Sequence, residues 1–141
     1  MKADIILHTD GGARGNPGPA GAGIVMEDAS GAAIKKFSKF LGVRSNNWAE
    51  YEAVFLGLSE VKKFYGLKAK TMKIEVMLDS ELVARQLRGE YQIKEPTLYP
   101  QFIKVHNLMV KNLPNVSFLN VPREKNGGAD TLANEAMDKG E

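Results

Sequence analysis

The sequence of 141 residues contains no cysteine, and this absence excludes disulfides, thiolate zinc sites and cysteine nucleophiles. It has only two histidines, so a metal site built on clustered imidazoles has few possible ligands. Its apolar stretches are a handful of residues long, which is too short for a transmembrane helix. Residues 1–4 include an acid and lack the apolar region of a signal peptide, so we expect a cytoplasmic protein without a membrane partner.

The composition is that of an ordinary globular protein. Hydrophobic residues make up 43% and charged residues 26%, which excludes disorder, collagen and coiled coil. The length is that of one domain, and no repeat or linker divides the chain, so we expect a single domain over residues 1–141. The net charge of +2, from 19 basic and 17 acidic residues, is a weak indication of an anionic partner.

Hydrophobic periodicity and turn residues predict an α/β fold. The predicted strands cover residues 5–10, 24–27, 33–41, 73–78 and 116–121. The predicted helices cover residues 47–64, 81–87, 101–110 and 129–137, with Ser45 or Asn46 as the first N-cap. Three consecutive strands indicate an antiparallel meander, and the later strands follow helices, so the sheet is mixed. We expect the glycine-rich segment 11–23 to form turns whose backbone N–H groups approach a ligand.

One carboxylate of the long helix falls on its apolar side. At about 100° per residue, Glu50 lies inside the arc that also contains Gly57, Val61 and Phe64. Glu52 falls on the opposite, polar side. A carboxylate on a core face is costly unless it is paired or bound to a metal, so Glu50 is a candidate ligand.

Three further acids stand at element boundaries. Asp10 and Asp79 each end a predicted strand, and parallel neighbours would bring both to the carboxyl edge of the sheet. Asp130 lies at the margin of the last helix's apolar stripe. Structural roles remain open for each: Asp10 as a turn residue, Asp79 as an N-cap, Asp130 as a helix-dipole partner, and Glu50 as the partner of an arginine.

Taken together, the four acids favour one shared site for Mg²⁺ or Mn²⁺, which prefer oxygen ligands. The residues alone therefore predict a hydrolase or phosphoryl-transfer enzyme that uses a hard metal.

The same acids lie in four segments that resemble, in order and spacing, the motifs of type 1 ribonuclease H. The segments are Thr9-Asp10-Gly11-Gly12-Ala13-Arg14-Gly15-Asn16-Pro17-Gly18-Pro19-Ala20-Gly21, Ser45-Asn46-Asn47-Trp48-Ala49-Glu50-Tyr51, Asp79-Ser80-Glu81-Leu82-Val83 and Ala129-Asp130-Thr131-Leu132-Ala133. The resemblance covers essentially the whole chain. It implies the ribonuclease H-like fold, a five-stranded mixed sheet flanked by helices, and endonucleolytic hydrolysis of the RNA strand of RNA/DNA hybrids with 5′-phosphate and 3′-hydroxyl products.

The resemblance also implies a role for each acid at a pair of metal ions. Asp10 would bridge both ions, Glu50 and Asp79 would hold the ion nearer the leaving group, and Asp130 would hold the ion on the nucleophile side. Two ions about 4 Å apart suit an in-line displacement at phosphorus. We expect two Mg²⁺ ions, with Mn²⁺ as a possible substitute.

The expected substrate contacts come from the first two motifs. By resemblance, Asn16, Asn46 and Asn47 would meet the hybrid in its minor groove, where the 2′-hydroxyl distinguishes RNA from DNA. Ser45 matches a hydroxyl position that contacts a DNA-strand phosphate. The remaining expected contacts are Gly11, Gly12 and Arg14.

Three features depart from the family pattern. Many members have a histidine in the loop before the last aspartate, whereas residues 121–128 have none and resemble a subgroup with arginine at this place. We expect Arg123 to act by its charge on the scissile phosphate; a surface phosphate contact, or Glu124 as the proton carrier, remain alternatives. Residues 88–96 are too few for the basic insertion with which some members grip the hybrid, so we expect weak binding. Glu81 replaces a glutamine found in many members.

Other interpretations stay open at this point. A related nuclease of the same fold acting on DNA alone, or a hybrid-binding module without activity, would fit parts of the pattern. The lysines of residues 62–73 form an acid-free cluster that is either a solvated face or a surface along a phosphate backbone. No obligate protein partner is evident, and we expect a monomer.

Overall fold

A computed structural model describes residues 2–141. The strands are β1 (Ile5–Ala13), β2 (Gly18–Asp28), β3 (Ala33–Arg44), β4 (Ile74–Leu78) and β5 (Val116–Asn120). The helices are α1 (Asn46–Tyr65), α2 (Glu81–Leu87), α3 (Tyr99–Asn112) and α4 (Gly127–Lys139), and short 3₁₀ turns cover Gly66–Thr71, Pro96–Leu98 and Arg123–Asn126. Within residues 2–141, no helix combines the length and apolarity needed to span a membrane.

The strands form one mixed sheet in the order β3-β2-β1-β4-β5. The pairs β1–β2 and β2–β3 are antiparallel, whereas β1–β4 and β4–β5 are parallel. The predicted meander, the helical crossovers and the five-stranded mixed sheet are thus confirmed. The predicted caps of α1 are also present, because Ser45 Oγ accepts from the backbone N–H of Trp48 and Gly66 ends the helix with φ of 59°.

Helices cover both faces of the sheet, and glycines set how close they come. On one face, a Cβ on Gly57 of α1 would touch the side chains of Leu7 and Thr9. On the other face, a Cβ on Gly21 or Gly23 would lie 2.6 Å or 2.1 Å from carbonyl oxygens of α4. Because no side chain fits there, α4 packs directly on the backbone of β2.

The prediction that segment 11–23 is a turn region is wrong for most of its length. β1 continues to Ala13 and β2 begins at Gly18, so only residues 14–17 connect them. Gly11 pairs with Ala22 and Gly12 with Gly21 in the antiparallel ladder. The glycines therefore serve close packing of helices on a regular sheet, which a sequence pattern cannot distinguish from turn formation.

Two expectations for α1 are also wrong. Glu52, expected on the solvent side, is buried because α3 packs there, and it accepts hydrogen bonds from Gln101 and Lys104. Phe64, expected on the buried arc, is 56% exposed. Helical periodicity identifies a face, but it does not show where along the helix that face is covered or whether a second helix covers the opposite face.

Candidate active site

Three carboxylates converge at the carboxyl end of the parallel strands. One oxygen each from Asp10, Glu50 and Asp79 lie within 4.8 Å of one another. The parallel pairing of β1 with β4 ends at His8 and Met77, so Asp10 and Asp79 both lie two residues beyond the last pair. The expectation that Asp10 ends its strand is wrong, because β1 continues to Ala13 alongside β2.

Glu50 reaches this cluster from α1. Its Oε1 accepts a hydrogen bond of 2.5 Å from the backbone N–H of Gly11. Its Oε2 is buried and has no hydrogen-bond partner within residues 2–141. Burial, together with the charge of Asp10, raises the pKa of Glu50 well above its ordinary value.

The structural alternatives for these three acids are excluded by the observed contacts. Ser80, not Asp79, caps α2, because its Oγ accepts from the backbone N–H of Val83. Asp10 lies inside a strand rather than in a turn. Glu50 contacts a backbone N–H rather than an arginine.

The electrostatics of the cluster disfavour three adjacent negative charges. Burial, followed by the charge of Asp79, raises the pKa of Asp10 to about 7. Burial also raises the pKa of Asp79, and the nearby charge of Arg123 opposes this shift. The cluster therefore favours either a bound proton or a bound cation.

Asp130 and Arg123 lie at the edge of the same cleft. Arg123 Nη2 donates to Asp130 Oδ1 at 3.1 Å, and the Arg123 side chain is 73% exposed. The hydrogen bond to Asp130 raises the pKa of Arg123 further. Asp130 lies outside the group of three converging acids, although its charge also raises the pKa of Asp10 and Asp79. Glu124 does not line this cleft.

The cleft has a volume of about 420 Å³, and its walls include several of the expected substrate contacts. Gly12, Arg14 and Asn46 line it, whereas Asn47 lines a separate cavity. Gly11 also lines the cleft, and its N–H donates to Glu50, so this N–H is not available to a ligand.

The two amides near the cleft are held through their oxygens. Asn16 Oδ1 accepts from the backbone N–H of Asn46 at 3.0 Å. Asn46 Oδ1 accepts from the backbone N–H of Ala13 at 2.7 Å. Each side chain thus keeps its NH₂ group for another acceptor, and Ser45 Oγ caps the helix that carries Asn46.

Comparison with known proteins identifies this arrangement. The reverse transcriptase-like family matches residues 8–136. A crystal structure of LC11-RNase H1 in complex with an RNA/DNA hybrid superposes with a TM-score of 0.92, at 48% identity over 96% of this chain and 97% of that one. The chain belongs to the type 1 ribonuclease H family. The predicted fold of that family is confirmed.

Two curated relatives of the ribonuclease H domain are longer proteins. A bifunctional protein of Mycobacterium tuberculosis is 36% identical over 95% of this chain, which spans only 35% of that protein. Ribonuclease HI of Halobacterium salinarum is 36% identical over 95% of this chain, which spans 64% of that protein. The chain therefore spans about a third of the length of the mycobacterial relative.

Sequence reasoning missed three residues that shape the ribonuclease H site. Asn134 and Asp138 of α4 both bind the Arg14 guanidinium. Asn126 is buried and donates to the carbonyl oxygen of Thr9 at 2.8 Å, which fastens the turn bearing Arg123 to β1. The i, i+4, i+8 spacing of Asp130, Asn134 and Asp138 was a usable signal, whereas nothing in the sequence pointed to the Asn126 contact.

The donor set suits the hard divalent cations on which this family depends. All three converging ligands are carboxylates, and Mg²⁺ or Mn²⁺ bind such oxygens in preference to nitrogen or sulfur. Glu50 Oε2, buried without a hydrogen-bond partner, is an unsatisfied acceptor of the kind that a cation would satisfy. The residues present therefore fit a metal site.

Proposed function

We propose that this protein is an endonuclease that hydrolyses the RNA strand of RNA/DNA hybrids and leaves 5′-phosphate and 3′-hydroxyl ends. The observation that carries the proposal is the convergence of Asp10, Glu50 and Asp79 within 4.8 Å beside an open cleft. Membership of the ribonuclease H family supports it. So does the hybrid bound in the LC11-RNase H1 structure, which shares 48% of its residues with this chain.

Asp10, Glu50, Asp79 and Asp130 would hold two Mg²⁺ ions, with Mn²⁺ as a possible substitute. When bound, such a pair supplies charge stabilisation to an in-line displacement at phosphorus. Asp10, with a pKa raised to about 7, must lose its proton for the carboxylate to act as a ligand. The Gly11 N–H fixes Glu50 Oε1, so Oε2 is the atom available to a cation.

The amides at the cleft would provide recognition of the RNA strand. With their oxygens held by backbone N–H groups, Asn16 and Asn46 present NH₂ donors. The minor groove of a hybrid offers matching acceptors, namely base edges and the 2′-hydroxyl oxygens. Asn47 lines a separate cavity, but it is on the same first turn of α1 and would extend this donor row.

Arg123 would stabilise charge on the scissile phosphate. Its guanidinium is permanently charged, so it cannot be a general base. It is exposed, and it is held beside the carboxylates through Asp130. This position favours contact with an incoming phosphate over a role in folding.

Arg14 would act as a positioning residue rather than as a free phosphate ligand. Its guanidinium is engaged by Asp138 and Asn134 of α4. These contacts join the connection between β1 and β2 to α4. The connection carries Asn16, and α4 carries Asp130.

One assay tests the activity. The protein is incubated with Mg²⁺ or Mn²⁺ and labelled RNA/DNA, RNA/RNA, DNA/DNA or single strands, and products are sized on denaturing gels. We expect cleavage of the RNA strand of the hybrid, and none when a chelator removes the metal. Cleavage of DNA/DNA alone would indicate a DNA nuclease, and binding without cleavage would indicate a hybrid-binding module.

Four further expectations stay predictions. They are the subgroup with arginine in the loop, the single domain over residues 1–141, the monomeric state and the cytoplasmic location.

A further inference from the structure

A second charged surface lies at the end of α1 opposite the carboxylates. It comprises five exposed lysines and two exposed apolar side chains, and we call it the distal basic surface: Lys62, Lys63, Phe64, Leu67, Lys68, Lys70 and Lys73. Between residues 61 and 74 the sequence contains no aspartate or glutamate.

The lysine side chains of this surface have no acidic partners in the described part of the chain, and the one carboxylate bound there to its backbone is that of Asp4, which accepts from the Lys73 N–H at 2.8 Å. Within residues 2–141 none of its five lysines forms an ion pair, whereas Lys35 pairs with Glu60 and Lys104 with Glu52. Placement at a helix C-terminus is favourable for Lys62 and Lys63. It does not explain Lys68, Lys70 and Lys73, which lie beyond the helix.

The backbone beneath these lysines is well fixed. Thr71 Oγ1 donates to the carbonyl oxygen of Lys68 at 3.1 Å, and Asn115 Nδ2 donates to that of Lys70 at 3.4 Å. Ala69 and Met72 are buried in the core. The charged side chains therefore project from an ordered turn, so binding a ligand would cost little conformational entropy of the backbone.

Two apolar side chains stand among the lysines. Phe64 is 56% exposed and Leu67 is 82% exposed. The Phe64 ring packs edge-on against Tyr65, with centroids 4.8 Å apart, so its orientation is set. Proteins that bind single-stranded nucleic acid combine lysines that contact the phosphate backbone with exposed aromatic rings on which bases stack. This surface has both kinds of side chain.

The surface is separate from the catalytic cleft. Glu50 and Lys63 are 13 positions apart on α1, which corresponds to about 20 Å along the helix. A single strand that contacts both the cleft and this surface must span about this distance.

We propose that the distal basic surface binds single-stranded nucleic acid that extends from a hybrid held in the cleft. The part of this proposal that identifies the strand as an extension of a bound hybrid rests on the proposed function. An acidic lipid surface fits less well, because Phe64 at the end of α1 and Leu67 on the following 3₁₀ turn do not form the continuous apolar face of an interfacial helix.

The test compares two variants of equal charge change. The surface variant is Lys62→Gln/Lys63→Gln/Lys68→Gln/Lys70→Gln. The control variant is Lys36→Gln/Lys39→Gln/Lys111→Gln/Lys139→Gln, which removes four other exposed lysines that form no ion pair with any of residues 2–141. Binding of a labelled single strand of about 25 nucleotides is followed by fluorescence anisotropy at several salt concentrations.

We expect the surface variant to bind the strand at least about tenfold more weakly than the wild type, with a salt slope smaller by about 3. The control should stay within about twofold of the wild type, since its lysines are dispersed. Phe64→Ala should weaken binding about fivefold through lost stacking, with an unchanged melting transition showing that it folds.

Cleavage assays link the surface to the cleft. The surface variant should cleave a short blunt hybrid like the wild type, and show a raised KM only for a hybrid with a single-stranded extension. Wild-type binding by the surface variant would overturn the proposal. Vesicles that contain phosphatidylserine serve as a second ligand. If the surface variant loses binding to these vesicles but keeps wild-type binding to the single strand, the proposal is also overturned. Failure of the wild type to cleave any hybrid would refute the proposed function, while anisotropy would still decide whether the surface binds single strands.

Discussion

A Cβ atom on Gly11 would lie 2.1 Å from the carbonyl oxygen of Ala49. This contact brings the backbone of β1 against the first turns of α1, one residue from both Asp10 and Glu50. The N–H of the same glycine donates to Glu50 Oε1. The distance between two of the candidate metal ligands is therefore set by a residue that has no side chain.

Gly11→Ala should separate α1 from β1 and displace Glu50. Overpacking of this kind costs about 1–3 kcal/mol, and we expect activity to fall more than stability because the carboxylates no longer converge. Urea unfolding and hybrid cleavage would be measured together. Gly12→Ala is the matched control for stability, since its Cβ would meet nothing nearer than Asn46 Oδ1 at 3.8 Å; an equal loss of stability in the two variants would contradict the argument.

Asp10 should make the metal-free protein less stable as the pH rises. Its pKa is about 7 in the folded state against 3.8 ordinarily, so between these values the folded state holds a proton that the unfolded state has lost. Stability is thus highest below pH 4 for this group, falls through the interval and levels off above pH 7.

Asp10→Asn removes the contribution of Asp10 to this dependence, and at pH 8 it should raise the free energy of unfolding by about 1–3 kcal/mol while abolishing cleavage. Denaturant titrations in chelator at several pH values would measure it. Glu135→Gln, at an exposed position on α4, should leave the pH profile unchanged. An Asp10→Asn protein with the wild-type profile would remove Asp10 as the source.

Glu50→Gln should keep the fold and lose the metal response. The amide oxygen can still accept from the Gly11 N–H, but the neutral group no longer attracts a cation. Addition of Mg²⁺ should raise the melting temperature of the wild type, since ligands that bind only the folded state stabilise it. The variant should show a much smaller rise, and Glu52→Gln, at a buried carboxylate outside the cluster, should keep the full rise.

Arg123→Ala should lower kcat about 10- to 100-fold and change hybrid affinity less. The reason is that its exposed charge stands beside the carboxylates rather than among the amide donors. Steady-state kinetics and anisotropy on the same hybrid would separate the two quantities. Lys125→Ala, on the same 3₁₀ turn, is the control, and equal losses of rate and affinity for Arg123→Ala would reduce Arg123 to a phosphate contact.

Asn126→Ala should destabilise the protein by about 1–3 kcal/mol, because it leaves the carbonyl oxygen of Thr9 buried without its donor. It should also lower kcat, since the turn that carries Arg123 loses its attachment to β1. Asn107→Ala, at an exposed position on α3, should be neutral in both measurements. A stable but slow Asn126→Ala protein would point to Arg123 placement alone.

The sequence by itself determined the element order, the mixed sheet, the caps of α1 and the candidate acids. These follow from local physics: periodicity separates strands from helices, Ser45 and Gly66 satisfy a helix end, and Glu50 is conspicuous on an apolar arc. The resemblance to ribonuclease H then implied the grouping of the four acids.

Only the tertiary structure decided what the glycines do and how the acids meet. Glycine permits turns and close packing equally, so only the contacts of α1 and α4 with the sheet show that Gly11, Gly21 and Gly23 belong to strands. The burial of Glu52 needed the position of α3, and the contact of Asn126 with Thr9 joins residues 117 positions apart. Such contacts arise from packing between distant segments, and local sequence carries no record of them.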